Sequence, residues 1–354
     1  MKLKPLIIGD LKAEIPIIQG GMGVGISLSS LAGAVAKEGA IGIISAAQPG
    51  YKDEKSFGEH SAETNFEALK YHIKEAKRIS NNGIIGVNVM RASQRYDEYI
   101  KCCVEGGADI IISGAGLPIE LPELVEATKT KFAPIVSSLK AIKVLFKMWD
   151  RRYNKVSDMV LIEGPKAGGH LGFDAETVNS IKDEDYDKEI VSIIEYVRSF
   201  EEKYKKHIPV IFGGGVYDRK DIDHYISLGC DGVQMATRFV ATEECDADIA
   251  FKQAYVNAKK DDIVLVKSPV GMPGRAVKTE YMALREKERE KIAHCYSCLE
   301  KCDPATTPYC ITSALIRAAE GDIDNSLVFC GENAYKIDKI TTVHEIFEEL
   351  TKED

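Results

Sequence analysis

The chain has 354 residues, of which 45% are hydrophobic and 29% are charged, and its formal net charge at pH 7 is −9. This composition is that of an ordinary folded protein, and a chain longer than about 250 residues can hold one α/β barrel with an extension. The negative charge disfavours a nucleic-acid partner, because proteins that bind phosphate backbones usually carry a basic surface.

Neither insertion into a membrane nor secretion is expected from the sequence. Its longest apolar runs are far shorter than the roughly 20 residues that a membrane-spanning helix requires. The N-terminal segment carries Asp10, Lys12 and Glu14 where a signal peptide would have its apolar stretch. We therefore expect a cytoplasmic protein whose cysteines are mostly reduced thiols.

Short apolar runs alternate with amphipathic segments along most of the chain. Strands that are apolar on both faces are typical of a parallel sheet covered by helices, and eight strand–helix repeats close a (β/α)8 barrel. We therefore predict an α/β fold, a TIM barrel with a C-terminal extension; an open doubly wound sheet is the alternative. The expected strands are 15–21, 41–46, 84–89, 109–116, 133–138, 159–164, 209–215 and 232–239.

The same pattern predicts the barrel over residues 1–260 and the extension over residues 261–354. A polar stretch at about 170–187 interrupts the sixth repeat and indicates a loop over the mouth of the barrel. The extension contains KSPVGMPGRAVKT (267–279), a group of cysteines and a terminal helical segment. Arg275 in the first of these is expected either to contact a phosphate or an acyl-carrier group, or to lie in a surface turn.

Glycine-rich motifs follow several predicted strands, at the end where parallel barrels place their catalytic groups. Glycine packs little and costs backbone entropy, so its accumulation there indicates close approach of the main chain to a ligand. Loops after the last two barrel strands commonly bind phosphate through backbone N–H groups, which predicts a phosphorylated cofactor; simple tight turns are the alternative. The residues concerned are Gly214, Gly215, Gln234, Met235, Ala236 and Thr237.

Three polar side chains lie at other predicted strand ends. Asn88 can donate and accept at once, which suits the edge of a heteroaromatic ring, and a strand-end cap is the alternative. Glu163 is expected to accept from cofactor hydroxyls, or else to be a solvated carboxylate. His170 lies within EGPKAGGHLG (163–172), whose neighbouring residues offer no core for it; a histidine satisfied within the core is the alternative. Because imidazole exchanges a proton near neutral pH, we expect His170 to be catalytic.

Six motifs follow one another over about residues 5–240: IPIIQGGM, GVN, SGAG, EGPKAGGHLG, PVIFGGG and GVQMATRFV. In these motifs the chain resembles the nitronate monooxygenase (2-nitropropane dioxygenase) family. That family consists of FMN-containing TIM barrels and includes flavin-dependent enoyl-acyl-carrier-protein reductases and NADH:quinone reductases. The resemblance implies a non-covalent FMN. It also implies a reaction in which a bound nitronate gives electrons to the flavin, and dioxygen completes its conversion to a carbonyl compound and nitrite.

The resemblance also implies a position for each part of the cofactor. Gly21 and Met22 would lie against the isoalloxazine and Asn88 at its polar edge, while Glu163 and Gly168 would follow the ribityl chain. The loops after the last two strands would hold the phosphate.

His170 matches the active-site histidine of the family, which handles the nitronate in the monooxygenases and the acyl carbonyl side of the pocket in the reductases. The QGGM form of the first motif is shared with the reductases, so it does not select the substrate. An NAD(P)H-dependent reductase of enoyl thioesters or quinones is therefore the alternative. NAD(P)H would bind as a transient substrate, because no GxGxxG fingerprint opens a helix. A phosphate-binding barrel without redox activity is the alternative of another class.

Four cysteines in the extension have the spacing C-x2-C-x3-C-x7-C, which is typical of an iron–sulfur cluster or a structural zinc site. The first three resemble the spacing in iron–sulfur flavoenzymes that reduce enoyl thioesters. A reduced, thiol-rich hairpin is the alternative. The residues are Cys295, Cys298, Cys302 and Cys310. A small-molecule substrate is the expected partner, and a homodimer is the assembly to be tested.

Overall fold

The computed structural model describes residues 3–53, 55–56 and 61–352. The strands are β1 (Leu6–Ile8), β2 (Leu11–Ala13), β3 (Ile17–Gln19), β4 (Gly42–Ser45), β5 (Ile85–Met90), β6 (Ile110–Gly114), β7 (Lys131–Val136), β8 (Val160–Glu163), β9 (Gly169–His170), β10 (Val210–Gly213), β11 (Gly232–Met235), β12 (Ile263–Lys267), β13 (Pro273–Val277) and β14 (Val328–Phe329).

The helices are α1 (Ser29–Lys37), α2 (Ser61–Ile79), α3 (Tyr96–Gly106), α4 (Leu121–Leu124), α5 (Leu139–Tyr153), α6 (Ala175–Ser180), α7 (Asp183–Tyr204), α8 (Arg219–Ser227), α9 (Thr237–Val240), α10 (Ile249–Asn257), α11 (Glu280–Arg285), α12 (Ile311–Ala319) and α13 (Val343–Thr351). None of the helices in the described ranges is long and apolar enough to cross a lipid bilayer.

Eight parallel strands form a closed barrel in the order β3, β4, β5, β6, β7, β8, β10 and β11. β11 pairs with β3, and a parallel bridge between Ile18 and Ile41 joins β3 to β4. Side chains on both faces of β4 and β6 are buried, as expected for strands between a filled interior and a layer of helices. The predicted (β/α)8 barrel is confirmed, and an open sheet is excluded because the first and last barrel strands pair.

The place of the helix after the eighth barrel strand is filled from the far end of the chain. α9, which follows that strand, has four residues, whereas α13 packs against both α1 and α8. The ring of Phe347 on α13 lies 5.6 Å from that of Phe239, and Glu349 pairs with Arg238 at 2.6 Å. The segment between α10 and α13 is therefore not part of the ring of outer helices, and it lies over the mouth of the barrel.

The amino-terminal end of the barrel is closed by the hairpin of β1 and β2. Leu6 and Ile8 of this hairpin are buried against a layer of interior side chains that includes Ile18, Ile110 and Leu161. Such an apolar layer fills the interior of a barrel with side chains instead of leaving a pore. A ligand can therefore be accommodated at the opposite, carboxyl end of the strands.

Part of the extension adds a small antiparallel sheet over that carboxyl end. β12 pairs with β13, β13 with β14, and β13 also with β9, which lies in the loop after the sixth barrel strand. The stretch expected as a loop at 170–187 contains α6 and the start of α7. Asp174 caps α6 by accepting a hydrogen bond from the Thr177 N–H. The acidic residues of this stretch therefore favour the start of a helix.

Candidate active site

A cavity of about 710 Å³ opens at the carboxyl end of the barrel strands. It lies between the loops that follow the barrel strands and the extension that covers them. The structure brings together around this cavity every residue that the sequence predicted for catalysis or cofactor binding: Gly21, Met22, Asn88, Glu163, Gly168, His170, Gly214, Gly215, Gln234, Met235, Ala236 and Thr237.

One end of the cavity is formed by the loops after β10 and β11. The backbone N–H groups of Gly214, Gly215, Ala236 and Thr237 donate to no acceptor within the described residues, and neither does the Thr237 hydroxyl. Buried main-chain donors are normally paired, so a group of unpaired donors on a cavity wall is a site for an anion. This arrangement fits the phosphate of FMN at the place that the sequence predicted.

The glycines of the rim also allow the loops to lie close to one another, in addition to the close approach to a ligand that the sequence predicts. A Cβ on Gly21 would lie 2.5 Å from the Asn88 Cβ, and a Cβ on Gly168 would lie 2.6 Å from the main chain of Cys330. A Cβ on Gly214, whose φ is +119°, would lie 2.9 Å from the Gly164 carbonyl oxygen. These glycines therefore let the loops pack closely against one another, and that packing shapes the cavity.

Asn88 lies near the end of β5 with its side chain on the cavity. Its amide makes no hydrogen bond within the described residues, which argues against the alternative of a strand-end cap. The loop that holds Gly21 and Met22 crosses directly above it, and the Met22 N–H donates to Ser27 Oγ at 2.8 Å. A loop held by this hydrogen bond, next to an amide without a partner in the described residues, is a suitable wall for a flat ring with polar edges.

Glu163 ends β8, and the cavity walls enclose its carboxyl group. Burial raises the pKa of Glu163 to about 7, with the Gly172 backbone N–H acting in the opposite direction. No cationic side chain pairs with this carboxyl within the described residues, so desolvation of the charged form is the dominant cause. Near neutral pH the group can both accept and donate a hydrogen bond, which suits the hydroxyls of a sugar-alcohol chain.

His170 lies in β9, where the loop after the sixth barrel strand meets the extension. Its Nε2 lies 2.6 Å from the Ser268 hydroxyl, and its ring packs edge-on against Phe329 with centroids 5.0 Å apart. Burial lowers the pKa of His170 to about 4, so the imidazole is neutral at physiological pH. The aromatic ring that packs against His170 therefore comes from the extension.

The family of the chain follows from a comparison with known proteins. A model of the nitronate monooxygenase family matches residues 4–353. The chain belongs to this family. A probable nitronate monooxygenase from Staphylococcus saprophyticus is 24% identical over 305 residues, which is 80% of this chain and 81% of the relative.

Two further relatives of this nitronate monooxygenase family member carry different names. An octahydroindene carboxyl-CoA dehydrogenase from Mycobacterium tuberculosis is 25% identical over 282 residues, 79% of this chain and 68% of the relative. The solved structure of FabK from Thermotoga maritima is 26% identical with a TM-score of 0.70, and the match covers 95% of this chain and 91% of that chain. The chain is thus similar both to a probable nitronate monooxygenase and to a protein named as a dehydrogenase.

In this family member Arg275 does not lie in a surface turn, which was one of the two expectations for it. Its side chain is 6% exposed, and one guanidinium nitrogen donates to the carbonyl oxygens of Pro165, at 2.9 Å, and Ala167. Glu332 lies 3.8 Å from the other terminal nitrogen. Arg275 thus fixes the loop that leads to His170, and the segment around it is the hairpin of β12 and β13 instead of a surface turn.

The four clustered cysteines are free thiols with different surroundings: Cys295 and Cys302 are exposed, while Cys298 and Cys310 are half-buried. Cys298 lines the cavity, and Cys310 caps α12 by accepting from the Ser313 N–H. In the described part of the chain, no group of three or more His, Cys, Asp and Glu side chains is placed to hold a metal ion. The predicted iron–sulfur or zinc site therefore has no support in the arrangement of these thiols.

Several residues of the site carried no recognisable signal in the sequence. Ser268 and Phe329 contact His170 from segments that lie about 100 residues or more further along the chain. The roof of the cavity also includes Tyr296 and Leu299, held by a bridge between Ser93 and Leu299. Only the pairing of distant strands brings these side chains to the site, so no local motif could reveal them.

Proposed function

We propose that this family member is an FMN-dependent nitronate monooxygenase, which converts alkyl nitronates and dioxygen to carbonyl compounds and nitrite. The observation that carries the proposal is the presence, on the wall of one cavity, of unpaired backbone donors and a neutral imidazole. The first suits the phosphate of a flavin, and the second suits an anionic substrate beside its ring.

A bound flavin would supply the electron chemistry, by accepting electrons from the substrate and passing them to dioxygen. The residues of the chain would bind the flavin and orient the substrate beside it. The loops at Gly214 and Thr237 would hold the phosphate, Glu163 the ribityl hydroxyls, and Asn88 the polar edge of the ring. His170 would hydrogen-bond to the substrate without adding a positive charge.

A second candidate is an NAD(P)H-dependent reductase of enoyl thioesters or quinones. The extension contributes a largely apolar wall to the cavity, which suits an acyl chain or a quinone. The residues of this wall are Val270, Met272, Leu299, Ile311, Leu315, Leu327 and Phe329. The name of the mycobacterial relative, a carboxyl-CoA dehydrogenase, is consistent with a bulky thioester in this position.

Anaerobic bleaching of the flavin distinguishes the two candidates. The purified protein should be yellow and should release FMN on denaturation. Rapid loss of flavin absorbance with an alkyl nitronate, but not with NADH or NADPH, is expected for the monooxygenase. Bleaching by a reduced nicotinamide nucleotide alone would favour the reductase. A colourless protein that cannot be reconstituted with FMN would overturn both.

Replacing the histidine tests its assignment to the chemical step. We expect His170→Ala to keep bound FMN and to lower turnover about 100-fold, the effect of removing one well-placed hydrogen-bonding group from an active site. Flavin content from absorbance and steady-state rates with the nitronate measure the two quantities. Unchanged turnover would remove His170 from the mechanism.

A further inference from the structure

The side chain of His170 and the β9 main chain are both held by the hairpin of β12 and β13. Gly274 is the pairing partner of His170 between β13 and β9, and the Leu171 N–H donates to the Pro273 carbonyl at 2.9 Å. The turn of the same hairpin carries Ser268, whose hydroxyl lies 2.6 Å from His170 Nε2. The imidazole therefore has its position fixed from outside its own barrel loop.

The hydrogen bonds of Ser268 decide the direction of this contact. Ser268 is 8% exposed, and its oxygen accepts a long hydrogen bond of 3.4 Å from the Val270 N–H. His170 Nε2 is the one acceptor within reach of the hydroxyl proton among the described residues. If Nε2 carried the proton, the serine hydroxyl would be buried without an acceptor, at a cost of about 1–3 kcal/mol. The serine therefore donates, and Nε2 accepts.

A neutral ring that accepts at Nε2 must carry its proton on Nδ1. His170 Nδ1 has no hydrogen-bond partner within the described residues, although the side chain lines the cavity. The Phe329 ring packs edge-on against the imidazole and restricts its rotation. The ring thus keeps one unpaired polar group, an N–H donor.

We propose that Ser268 is a positioning residue that holds His170 as the neutral Nδ1–H tautomer, so that the histidine acts as a hydrogen-bond donor to an anionic oxygen of the substrate and not as a base. The inference rests on the proposed function for the identity of that oxygen. In a nitronate it is one of the two oxygens bonded to nitrogen, which share the negative charge, and in an enoyl thioester it is the carbonyl oxygen, which gains charge as a hydride adds to the β carbon. Both candidate substrates therefore offer an oxygen atom that carries or gains negative charge.

The tautomer is measured directly by nitrogen NMR of protein with ¹⁵N-labelled histidine rings, and the His170 signals are assigned by their loss in His170→Gln. We expect the wild type to show a protonated Nδ1 and an unprotonated Nε2. Ser268→Ala should give a mixture of the two neutral tautomers, whereas Ser268→Thr, which keeps the hydroxyl, should restore the single form. Turnover should fall about tenfold in Ser268→Ala at unchanged FMN content.

Ser326→Ala is the matched control, because Ser326 is a buried serine of the extension whose hydroxyl donates to the Ile323 carbonyl and which is not among the contacts of His170. It should leave the His170 signals unchanged. A wild-type ring that is protonated on Nε2, or on both nitrogens, overturns the proposal even if no Ser268 variant folds. Unchanged tautomers in a folded Ser268→Ala overturn it as well. A colourless protein with the expected tautomer would instead contradict only the proposed function.

Discussion

The two walls of the cavity are built in different ways. The barrel rim, formed by the loops after β3, β8, β10 and β11, offers mainly backbone N–H groups and closely packed glycines. The extension offers side chains: Ser268 and Phe329 at the histidine, Arg275 beneath the loop that carries it, and an apolar roof. Backbone donors bind a group common to many ligands, whereas side chains select one substrate and set its orientation. Under the proposed function, we therefore expect cofactor binding and substrate choice to be separable in this protein.

The largest expected effect tests the extension wall. Arg275→Met removes two hydrogen bonds to the carbonyl oxygens of Pro165 and Ala167 and leaves those acceptors without their partner. Because hydrogen bonds to charged groups are worth about 1.5–3 kcal/mol each, we expect the free energy of unfolding to fall by about 3 kcal/mol. Urea denaturation measures it.

Arg289→Met is a matched control for this change. Arg289 also donates to two backbone carbonyls, those of Thr307 and Pro304, but its side chain is exposed. We expect a loss below about 1 kcal/mol, since water replaces the lost bonds. Equal losses in the two variants would show that burial of Arg275 contributes nothing special.

The second effect tests the rim. In Gly214→Ala a Cβ would meet the Gly164 backbone at 2.9 Å on a residue with φ of +119°, so the loop must shift. Strain of this kind costs about 1–3 kcal/mol, and we expect FMN affinity to fall roughly 10- to 100-fold. Titration of the apoprotein with FMN, followed by flavin fluorescence, measures this loss.

Gly107→Ala is the control that separates the backbone strain of a positive φ from the steric clash of an added Cβ. Gly107 also has a positive φ, +88°, but no atom would lie within 4 Å of its Cβ, and it follows α3 away from the cavity. It should lower stability by about 1 kcal/mol and leave FMN affinity unchanged. If Gly214→Ala binds FMN as tightly as Gly107→Ala does, binding of the FMN phosphate does not depend on the loop that holds Gly214.

The smallest effect concerns Glu163, which lies between the two walls. Its pKa is raised by burial to about 7 in the folded protein, so the folded state binds a proton that the unfolded state has already lost. This contribution to stability is complete below the unfolded pKa and disappears as the pH rises through the folded pKa. Between about pH 5 and 7 it should change by roughly 2 kcal/mol.

Glu163→Gln should abolish that part of the pH dependence. The difference between the unfolding free energies of wild type and variant, measured without FMN across this pH range, isolates the contribution of the one carboxyl group. A difference that does not change with pH would show that Glu163 titrates at its ordinary value and is open to solvent.

The contrast between the walls also explains what could be predicted from the sequence. The eight strands and the rim residues were recognisable because apolar runs and glycine motifs are local signals, and Gly214 and Thr237 lie directly after the strands that position them. Closure of the barrel followed from the count of repeats, since the strands pair in chain order.

The extension could not be predicted in the same way, because its geometry depends on contacts between distant segments. Nothing local in the terminal segment shows that α13 takes the place of the eighth outer helix, and nothing near Ser268 indicates His170 as its partner. The cysteine spacing was the opposite case, a local pattern that the folded chain does not bring together as a set of ligands. Sequence spacing alone is thus not sufficient to predict such a site.

The hairpin of β1 and β2 has a kinetic consequence. Since it closes the amino-terminal end of the barrel with an apolar layer, reactants do not reach the cavity through that end of the barrel in the described part of the chain. Under the proposed function, FMN stays bound in the cavity, and we expect the electron donor and the electron acceptor to approach its ring from the carboxyl side of the barrel, one after the other. Such alternating binding of donor and acceptor gives parallel lines in double-reciprocal plots of rate against reactant concentration. It also gives inhibition by an excess of either reactant.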